Sequence, residues 1–341
     1  MNILLTGGLG FIGSHTVVEL VNSNYNVTII DNLSNSKISV LQNIYKLCDK
    51  NKIIFHNGDI LNNDDLNKVF VNIDTVIHFA AYKSVTESIK KSLQYYNNNI
   101  NGLINLLHKC KEFNVNKFIF SSSATVYGSS ESPLSENSIT GIGITSPYGK
   151  TKYFSEIILQ DYCNSNKNFN VISLRYFNPV GAHKSGLIGE DPNDIPNNLM
   201  PFILKVAKKN NLPNNLDNLY NSLSIFGNNY ETNDGTCERD FIHVVDLAKA
   251  HVKACDKIGK FNNYETFNIG TGNPISVLQL VNTFIKINNI KLPFQFKKKR
   301  EGDNPKIYCN CNKAFKMLNW KSIYKINDIC EDSYQIGRAH V

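Results

Sequence analysis

The chain is expected to be an α/β protein: a doubly wound, mostly parallel Rossmann-type sheet with a smaller C-terminal α/β substrate domain. Three observations predict this. A short apolar run enters a glycine-rich turn, Gly7-Gly8-Leu9-Gly10-Phe11-Ile12-Gly13, near the start. Further short apolar runs follow, each ending in small or polar residues. Stretches with helix-like apolar spacing lie between them, the alternation that builds parallel sheets.

Taken in order, Asn2 to Leu5 reads as a strand and Ile12 to Asn22 as the helix after the turn. Val27-Thr28-Ile29-Ile30 is a β-branched second strand ending at Asp31, which completes one βαβ unit. Ile53-Ile54-Phe55 then ends at Gly58-Asp59, and Thr75 to Phe79 at Ala80-Ala81. Phe118-Ile119-Phe120 ends at the serine run 121–123, and Val171 to Leu174 at Arg175-Tyr176. Ligands of doubly wound sheets bind beyond the carboxyl ends of the strands, so the candidates collect on one rim. After Tyr176 the rhythm weakens into loop-rich segments such as Asn178-Pro179, Asp191-Pro192, Ile195-Pro196 and Met200-Pro201. The expected division is a nucleotide-binding domain over 1–175, with a segment at about 238–256 returning to it, and a substrate domain over 176–330. Residues 331–341 read as a truncated or non-native tail.

Composition excludes several classes. At 341 residues the chain has room for one large or two moderate domains. Its 42% hydrophobic and 19% charged residues are globular values, not those of a disordered chain. Eight cysteines include no Cys-x-x-Cys, and the close pair Cys309-x-Cys311 has no histidine at zinc-site spacing. Free thiols in a reducing compartment are expected, with no metal. The first apolar stretch is broken at once by glycine, and no run approaches the ~18 residues a membrane span needs. A soluble, cytoplasmic protein without a membrane partner is expected. The net charge of +7 is scattered apart from Lys297-Lys298-Lys299-Arg300, and no recognised nucleic-acid motif accompanies it. No nucleic-acid partner is expected.

The glycine turn points to a dinucleotide. Gly7, Gly10 and Gly13 allow a tight turn and a close backbone approach to a pyrophosphate at a helix N-terminus. Asp31 lies 18 residues beyond Gly13 at the end of the second strand. Its carboxylate accepts from ribose hydroxyls and repels a 2′-phosphate, and no arginine lies in 31–37 to rescue one, so NAD is expected. Asp59 suits an adenine contact or a turn carboxylate. Lys83 suits the cofactor ribose, a substrate phosphate or solvent.

Tyr148 and Lys152 are four residues apart in Ser146-Pro-Tyr-Gly-Lys-Thr-Lys152. On a helix they share a face. A cation near the phenol favours phenolate and lowers a pKa that starts near ~10, giving a base usable at neutral pH. Alone the pair is more often a packed tyrosine and a solvated lysine. Beside a dinucleotide site it suggests hydride chemistry at a hydroxyl-bearing carbon.

Together these motifs resemble the extended short-chain dehydrogenase/reductase superfamily, and within it the UDP-sugar 4-epimerase family, over nearly the whole chain. The phrases that carry the resemblance are the glycine turn within Leu5 to His15, Phe120 to Gly128, Leu174 to His183, Gly189-Glu-Asp-Pro192, Arg239 to Ala248 and Arg300-Glu-Gly-Asp303. The resemblance implies interconversion of UDP-galactose and UDP-glucose, a step of galactose metabolism. Tyr148 would take the 4-hydroxyl proton, assisted by Ser123. The C4 hydride would pass to tightly held NAD, the 4-keto sugar would rotate, and the hydride would return. Lys152 would depress the Tyr148 pKa and hold the ribose. Phe11, Ile12, Asn32, Leu33, Ser34, Asn35, Ile60, Phe79, Ala80, Asn99 and Tyr176 match cofactor-contacting positions. Ala124, Thr125, Tyr176, Phe177, Asn178, Asn198, Leu199 and Met200 match the substrate strip. Ser224, Ile225 and Phe226 would flank uracil, Arg239 and Arg300 would grip the diphosphate, and Asp303 would accept from the uridine ribose. Ile307 falls where the family gates the sugar 2-substituent. A homodimer through helices near 88–110 and 148–163 is implied.

The chain departs from the family pattern in two places. The Asn-rich stretch from Asn210 to Ser222 is longer and is expected to be a surface excursion, and the tail after Asp332 loses family character. Ala124 offers no acid where related dehydratases carry a carboxylate pair for elimination. Another sugar-nucleotide epimerase or decarboxylase on the same fold, or a non-catalytic NAD-binding regulator, are the alternatives. Intact Ser123, Tyr148 and Lys152 speak against the regulator.

Overall fold

The computed structural model describes residues 1–192, 196, 198–211, 218–300 and 302–339. Its first half contains β1 (Asn2–Thr6), α1 (Phe11–Asn22), β2 (Asn26–Asp31), α2 (Ile38–Tyr45), β3 (Ile53–Asn57), α3 (Asn63–Val69), β4 (Thr75–His78), α4 (Val85–Lys90), α5 (Ser92–Tyr96), α6 (Gly102–Glu112), β5 (Lys117–Ser123), α7 (Pro147–Ser165) and β6 (Asn170–Tyr176). The second half adds β7 (Asn178–Val180), α8 (Leu199–Asn211), β8 (Leu223–Phe226), β9 (Glu238–Arg239), β10 (Phe241–His243), α9 (Val244–Lys257), β11 (Tyr264–Ile269), β12 (Ile275–Ser276), α10 (Val277–Asn288), β13 (Phe294–Lys297), β14 (Lys306–Ile307) and α11 (Ile326–Ala339).

Seven strands form the central sheet in the order β11-β6-β5-β4-β1-β2-β3, and every pairing in it is parallel. Parallel strands are covered on both faces and so read as continuous apolar runs. Alternate residues feed opposite layers. Ile3, Leu5, Ile29 and Ile77 join one core with α1 and α9, while Leu4, Ile30, Val76 and Phe118 join another with α3, α6 and α7. Each fully buried side chain of this kind contributes roughly 1.5–3 kcal/mol relative to exposure.

The sheet takes up more of the second half than the expected returning segment, 238–256. β11 pairs with β6 along its whole length. Its sequence, Tyr264-Glu-Thr-Phe-Asn-Ile269, mixes polar and apolar residues, so no continuous apolar run marks it. A third core packs α8, α10, α11 and β8 together. α11 continues past Asp332 as far as Ala339. Ile329, Ser333 and Ile336 fall at i, i+4 and i+7, and all three are buried, which is why the helix persists. Residues 212–217 of the Asn-rich excursion lie outside the described residues.

No helix among the described residues is long and apolar enough to cross a membrane. No group of metal-binding side chains forms there. All eight cysteines are free thiols.

Candidate active site

A cavity of about 450 Å³ opens beyond the carboxyl ends of the central strands. Strand register builds its floor. Thr6 of β1 lies opposite Ile30 of β2, Asp31 opposite Asn57, and Ser123 of β5 opposite Tyr176 of β6.

The glycine turn forms one wall. Gly7 has φ +71°, and a Cβ there would stand 2.8 Å from the Ala80 nitrogen. A Cβ on Gly13 would meet the Gly7 carbonyl oxygen at 2.3 Å. Gly10 differs, since it lines the cavity and a Cβ there would meet only the Gly7 oxygen, at 3.4 Å. It is the N-cap of α1, and no side chain caps the helix. The first N–H groups of a helix lack intrahelical partners, so the turn presents donors and a space for an anion.

Asp31 is buried and fixed by the same turn. Its Oδ2 accepts from the Leu9 N–H at 2.9 Å, and its Oδ1 from the Leu33 N–H at 3.0 Å and the Ser36 hydroxyl at 2.8 Å. A carboxylate has roughly four acceptor sites, so one remains for a hydroxyl. Asn32 donates to Asp59 at 2.9 Å, and the other Asp59 oxygen caps the Leu61 N–H at 2.8 Å.

The opposite wall is built from α7. Ser146 accepts from the Gly149 N–H at 3.1 Å and Pro147 takes the first helical position, which fixes the start of the helix. Tyr148, Lys152 and Glu156 then follow one turn apart on one face. Lys152 is buried, its Nζ donates to the Ser121 carbonyl at 2.6 Å and stands 4.9 Å from the Phe120 ring centroid. Burial pushes its pKa down to about 7, against the pull of Glu156. Burial also raises the Tyr148 phenol, while a hydrogen bond with Ser123 works to lower it. The expectation that Lys152 depresses the Tyr148 pKa is not met in the chain alone: burial holds the phenol up, only the Ser123 hydrogen bond works to lower it, and the lysine's bond goes to a main-chain carbonyl.

Two buried networks support this wall. Glu156 accepts from Ser122 at 2.5 Å and from Arg175 at 2.9 and 2.6 Å, and Arg175 reaches the Tyr127 hydroxyl at 3.0 Å. His251 is kept neutral by burial, with its pKa down to about 4. Its Nδ1 faces the Leu247 carbonyl at 2.9 Å and so carries the proton, leaving Nε2 to accept from the Tyr176 hydroxyl at 2.5 Å.

The cavity gathers most of the nominated residues. Gly7, Gly10, Phe11, Ile12, Gly13, Asp31, Asn32, Ser34, Asn35, Ile60, Phe79, Ala80 and Lys83 line it from the first strands. Ser123, Thr125, Tyr148, Lys152, Tyr176, Phe177, Asn178, Asn198 and Leu199 complete it. Others sit off its surface. Leu33 packs against the core, and Asn99 holds the Tyr82 main chain and Thr151. Ala124 and Ile307 pack with a small cluster that includes Phe177. Met200 and Ile225 pack into the third core; strand alternation turns Ile225 inward and Ser224 and Phe226 outward. Arg239 bonds the Glu238 and Asn304 carbonyls, each at 2.9 Å, and approaches Asp303 at 3.6 Å. The Arg300 guanidinium lies 3.9 Å from the Phe226 ring centroid.

Sequence reasoning missed Glu190, which lines the cavity and accepts from Lys83 at 2.8 Å and Asn198 at 2.7 Å. It lies in a loop with no period to mark it. It also missed Glu156, which the same four-residue step from Lys152 would have found.

A glycine turn, a strand-end aspartate and a Tyr-Lys helix face on one cavity define a nucleotide-dependent enzyme of the Rossmann class. The chain belongs to the NAD dependent epimerase/dehydratase family, whose model matches residues 3–270. It is 46% identical over 338 residues to the UDP-glucose 4-epimerase of Dictyostelium discoideum, covering 98% of this chain and 94% of that one. It is 44% identical over 344 residues to the Bacillus subtilis UDP-glucose 4-epimerase, covering 100% and 98%. Its fold matches the crystal structure of the Bifidobacterium longum UDP-glucose 4-epimerase in complex with NAD+ and UDP, with a TM-score of 0.92, 41% identity and coverage of 99% and 98%. The chain is an NAD-dependent enzyme.

Proposed function

We propose that the chain interconverts UDP-galactose and UDP-glucose. The observation that carries this is the placement of Tyr148 and Lys152 on one helix face lining the same cavity as the open Gly10 turn. The relatives' names support the same reaction.

Gly10, with Phe11, Ile12 and Gly13, holds the cofactor diphosphate, and the free acceptor site of Asp31 takes a ribose hydroxyl. NAD, when bound, supplies the hydride acceptor and donor for the sugar C4. Tyr148 takes the proton from the 4-hydroxyl and later returns a proton to the same oxygen, and inversion at C4 would come from hydride return to the opposite face of the 4-keto sugar. Ser123 hydrogen-bonds the same oxygen. Lys152 ties α7 to the end of β5 through the Ser121 carbonyl and would hold the cofactor ribose. Asn178, Asn198 and Leu199 carry the sugar nucleotide's path out of the cavity. Arg239 and Arg300 exchange their present partners for diphosphate oxygens, which suit a planar guanidinium.

In this reading residues 1–175 with the returning segment hold the cofactor, and 176–330 hold the uridine side. A homodimer is supported by exposed Ile89, Leu93, Phe154 and Ile157 on α4, α5 and α7. The enzyme works in the cytoplasm. An epimerisation assay with UDP-glucose, UDP-galactose and their N-acetyl forms tests the reaction. Interconversion of the first pair is expected. Folded, NAD-loaded protein that turns over none of the four overturns it.

A further inference from the structure

Cys309 and Cys311 follow β14, and their sulfurs lie 3.0 Å apart, within about 1 Å of bonding distance. Their surroundings differ. Cys309 is 1% exposed, and Cys311 is half-buried, with access to solvent. Cys309 is firmly held. Its thiol donates to Asp240 Oδ2 at 3.2 Å, and its N–H approaches the same oxygen at 3.3 Å. A Cβ on Gly270 would stand 2.5 Å from its sulfur, so the backbone there is shaped around it. The flanking main chain is pinned too: the Leu134 N–H donates to the Tyr308 carbonyl at 2.9 Å and the Asn310 N–H to the Leu134 carbonyl at 2.8 Å.

We propose that Cys309 and Cys311 form a redox-closable dithiol, a modification site that a small disulfide such as oxidised glutathione converts to an internal disulfide. The exposed member reacts first, because exchange needs access as well as a thiolate. Cys311 loses its proton to solvent, its thiolate attacks one sulfur of the small disulfide, and the expelled thiolate takes up a proton from solvent, leaving a mixed disulfide. Cys309 gives its proton to the Asp240 carboxylate that already accepts it, and its sulfur attacks the Cys311 sulfur. The second small thiolate leaves and takes up the proton from Asp240. Two protein thiols are oxidised and one small disulfide is reduced to two thiols.

Burial, reinforced by Cys311 and Asp240, holds the Cys309 thiol well above its ordinary value. The reduced pair is therefore inert until Cys311 has been captured. Buried cysteines elsewhere, such as Cys110 and Cys255, lack such a neighbouring thiol in contact and serve as controls.

The test uses the full chain in mixtures of reduced and oxidised glutathione, followed by alkylation, tryptic digestion and mass spectrometry. Cleavage after Lys306 and Lys313 releases peptide 307–313, which contains both cysteines and no others. Under oxidising mixtures it should appear unalkylated and two hydrogens lighter than the dithiol, and the thiol titre should fall from eight to six. Cys309→Ser should instead trap glutathione on Cys311. Should that variant not fold, a time course on the unmodified protein reads the same order, with a mixed disulfide rising and then decaying into the internal one. Full alkylation of both residues, or a glutathione adduct that never closes, overturns the proposal. The mass readout does not depend on the proposed reaction.

Discussion

The Nζ of Lys152 donates to the main-chain carbonyl of Ser121 at 2.6 Å and not to the phenol of Tyr148, one helical turn away. The lysine thereby ties α7 to the carboxyl end of β5, the strand that also delivers Ser123. Phenol and hydroxyl are placed by one helix cap and one strand end, so their geometry is built before any ligand binds.

Tyr148→Phe keeps the ring and removes the base. Turnover should fall at least ~10²-fold, the scale of general-base catalysis, with NAD content retained. Activity near that of the unmodified protein, with NAD still bound, would remove Tyr148 from the reaction.

Lys152 makes stability depend on pH in an unusual direction. An unfolded lysine keeps its proton to about 10.4, whereas burial lowers this one to about 7. Between those values the unfolded chain binds more protons, so stability rises with pH. The cost of burying the amine is fully present below about 7 and fades toward the unfolded value. Lys152→Met removes the titration. The stability of the unmodified protein relative to this variant should therefore climb from pH 7 toward 9.5, by at most about 1.4 kcal/mol per pH unit. Parallel curves in denaturant titrations would mean that Lys152 does not change its charge state in this range.

Much of this was legible in the sequence because the cofactor side is local. Gly7 to Gly13, Asp31 and the Tyr148–Lys152 step each occupy one strand end or one helix turn, where spacing dictates geometry. The proposed uridine side is not local. Arg239, Arg300 and Asp303 come from a two-residue strand and a loop, and their present partners follow from long-range packing that no period encodes. Ile225 shows the same limit. It lies between Ser224 and Phe226, but only the two-residue alternation of β8 against a core decides which of the three faces outward. The position of β11 escaped for a related reason, as its mixed polar and apolar residues form no continuous run.

Asp31→Ala should weaken NAD binding about tenfold to a hundredfold, since a charged hydrogen bond contributes roughly 1.5–3 kcal/mol. It should also narrow the preference over NADP, because the charge that repels a 2′-phosphate is gone. Some of the loss will come from the glycine turn, whose Leu9 N–H depends on this carboxylate. Titrating both cofactors separates the two effects: a loosened turn weakens both alike, while a lost selector shifts their ratio. An unchanged ratio would leave Asp31 as a turn residue only.

Ile307 is the remaining control point. It ends β14, its carbonyl accepts the Asp240 N–H at 3.1 Å, and it pairs with Arg239. Its side chain belongs to the cluster that contains Ala124 and Phe177, and Phe177 lines the cavity. A change of bulk at Ile307 should therefore reach the proposed sugar pocket through Phe177. Isoleucine is intermediate in size, has no hydroxyl to fix a partner, and is stiff at its branched Cβ. Glucose and galactose should be the main substrate pair, with N-acetyl sugars poor. Ile307→Tyr adds bulk behind Phe177 and should abolish any N-acetyl activity while sparing the other pair. Ile307→Cys removes bulk there and should raise N-acetyl activity. The measurement is the ratio of kcat/KM for the two sugar pairs in each variant. If both variants leave that ratio where it stands, the pocket selects its sugar through other residues and Ile307 is an ordinary apolar strand position.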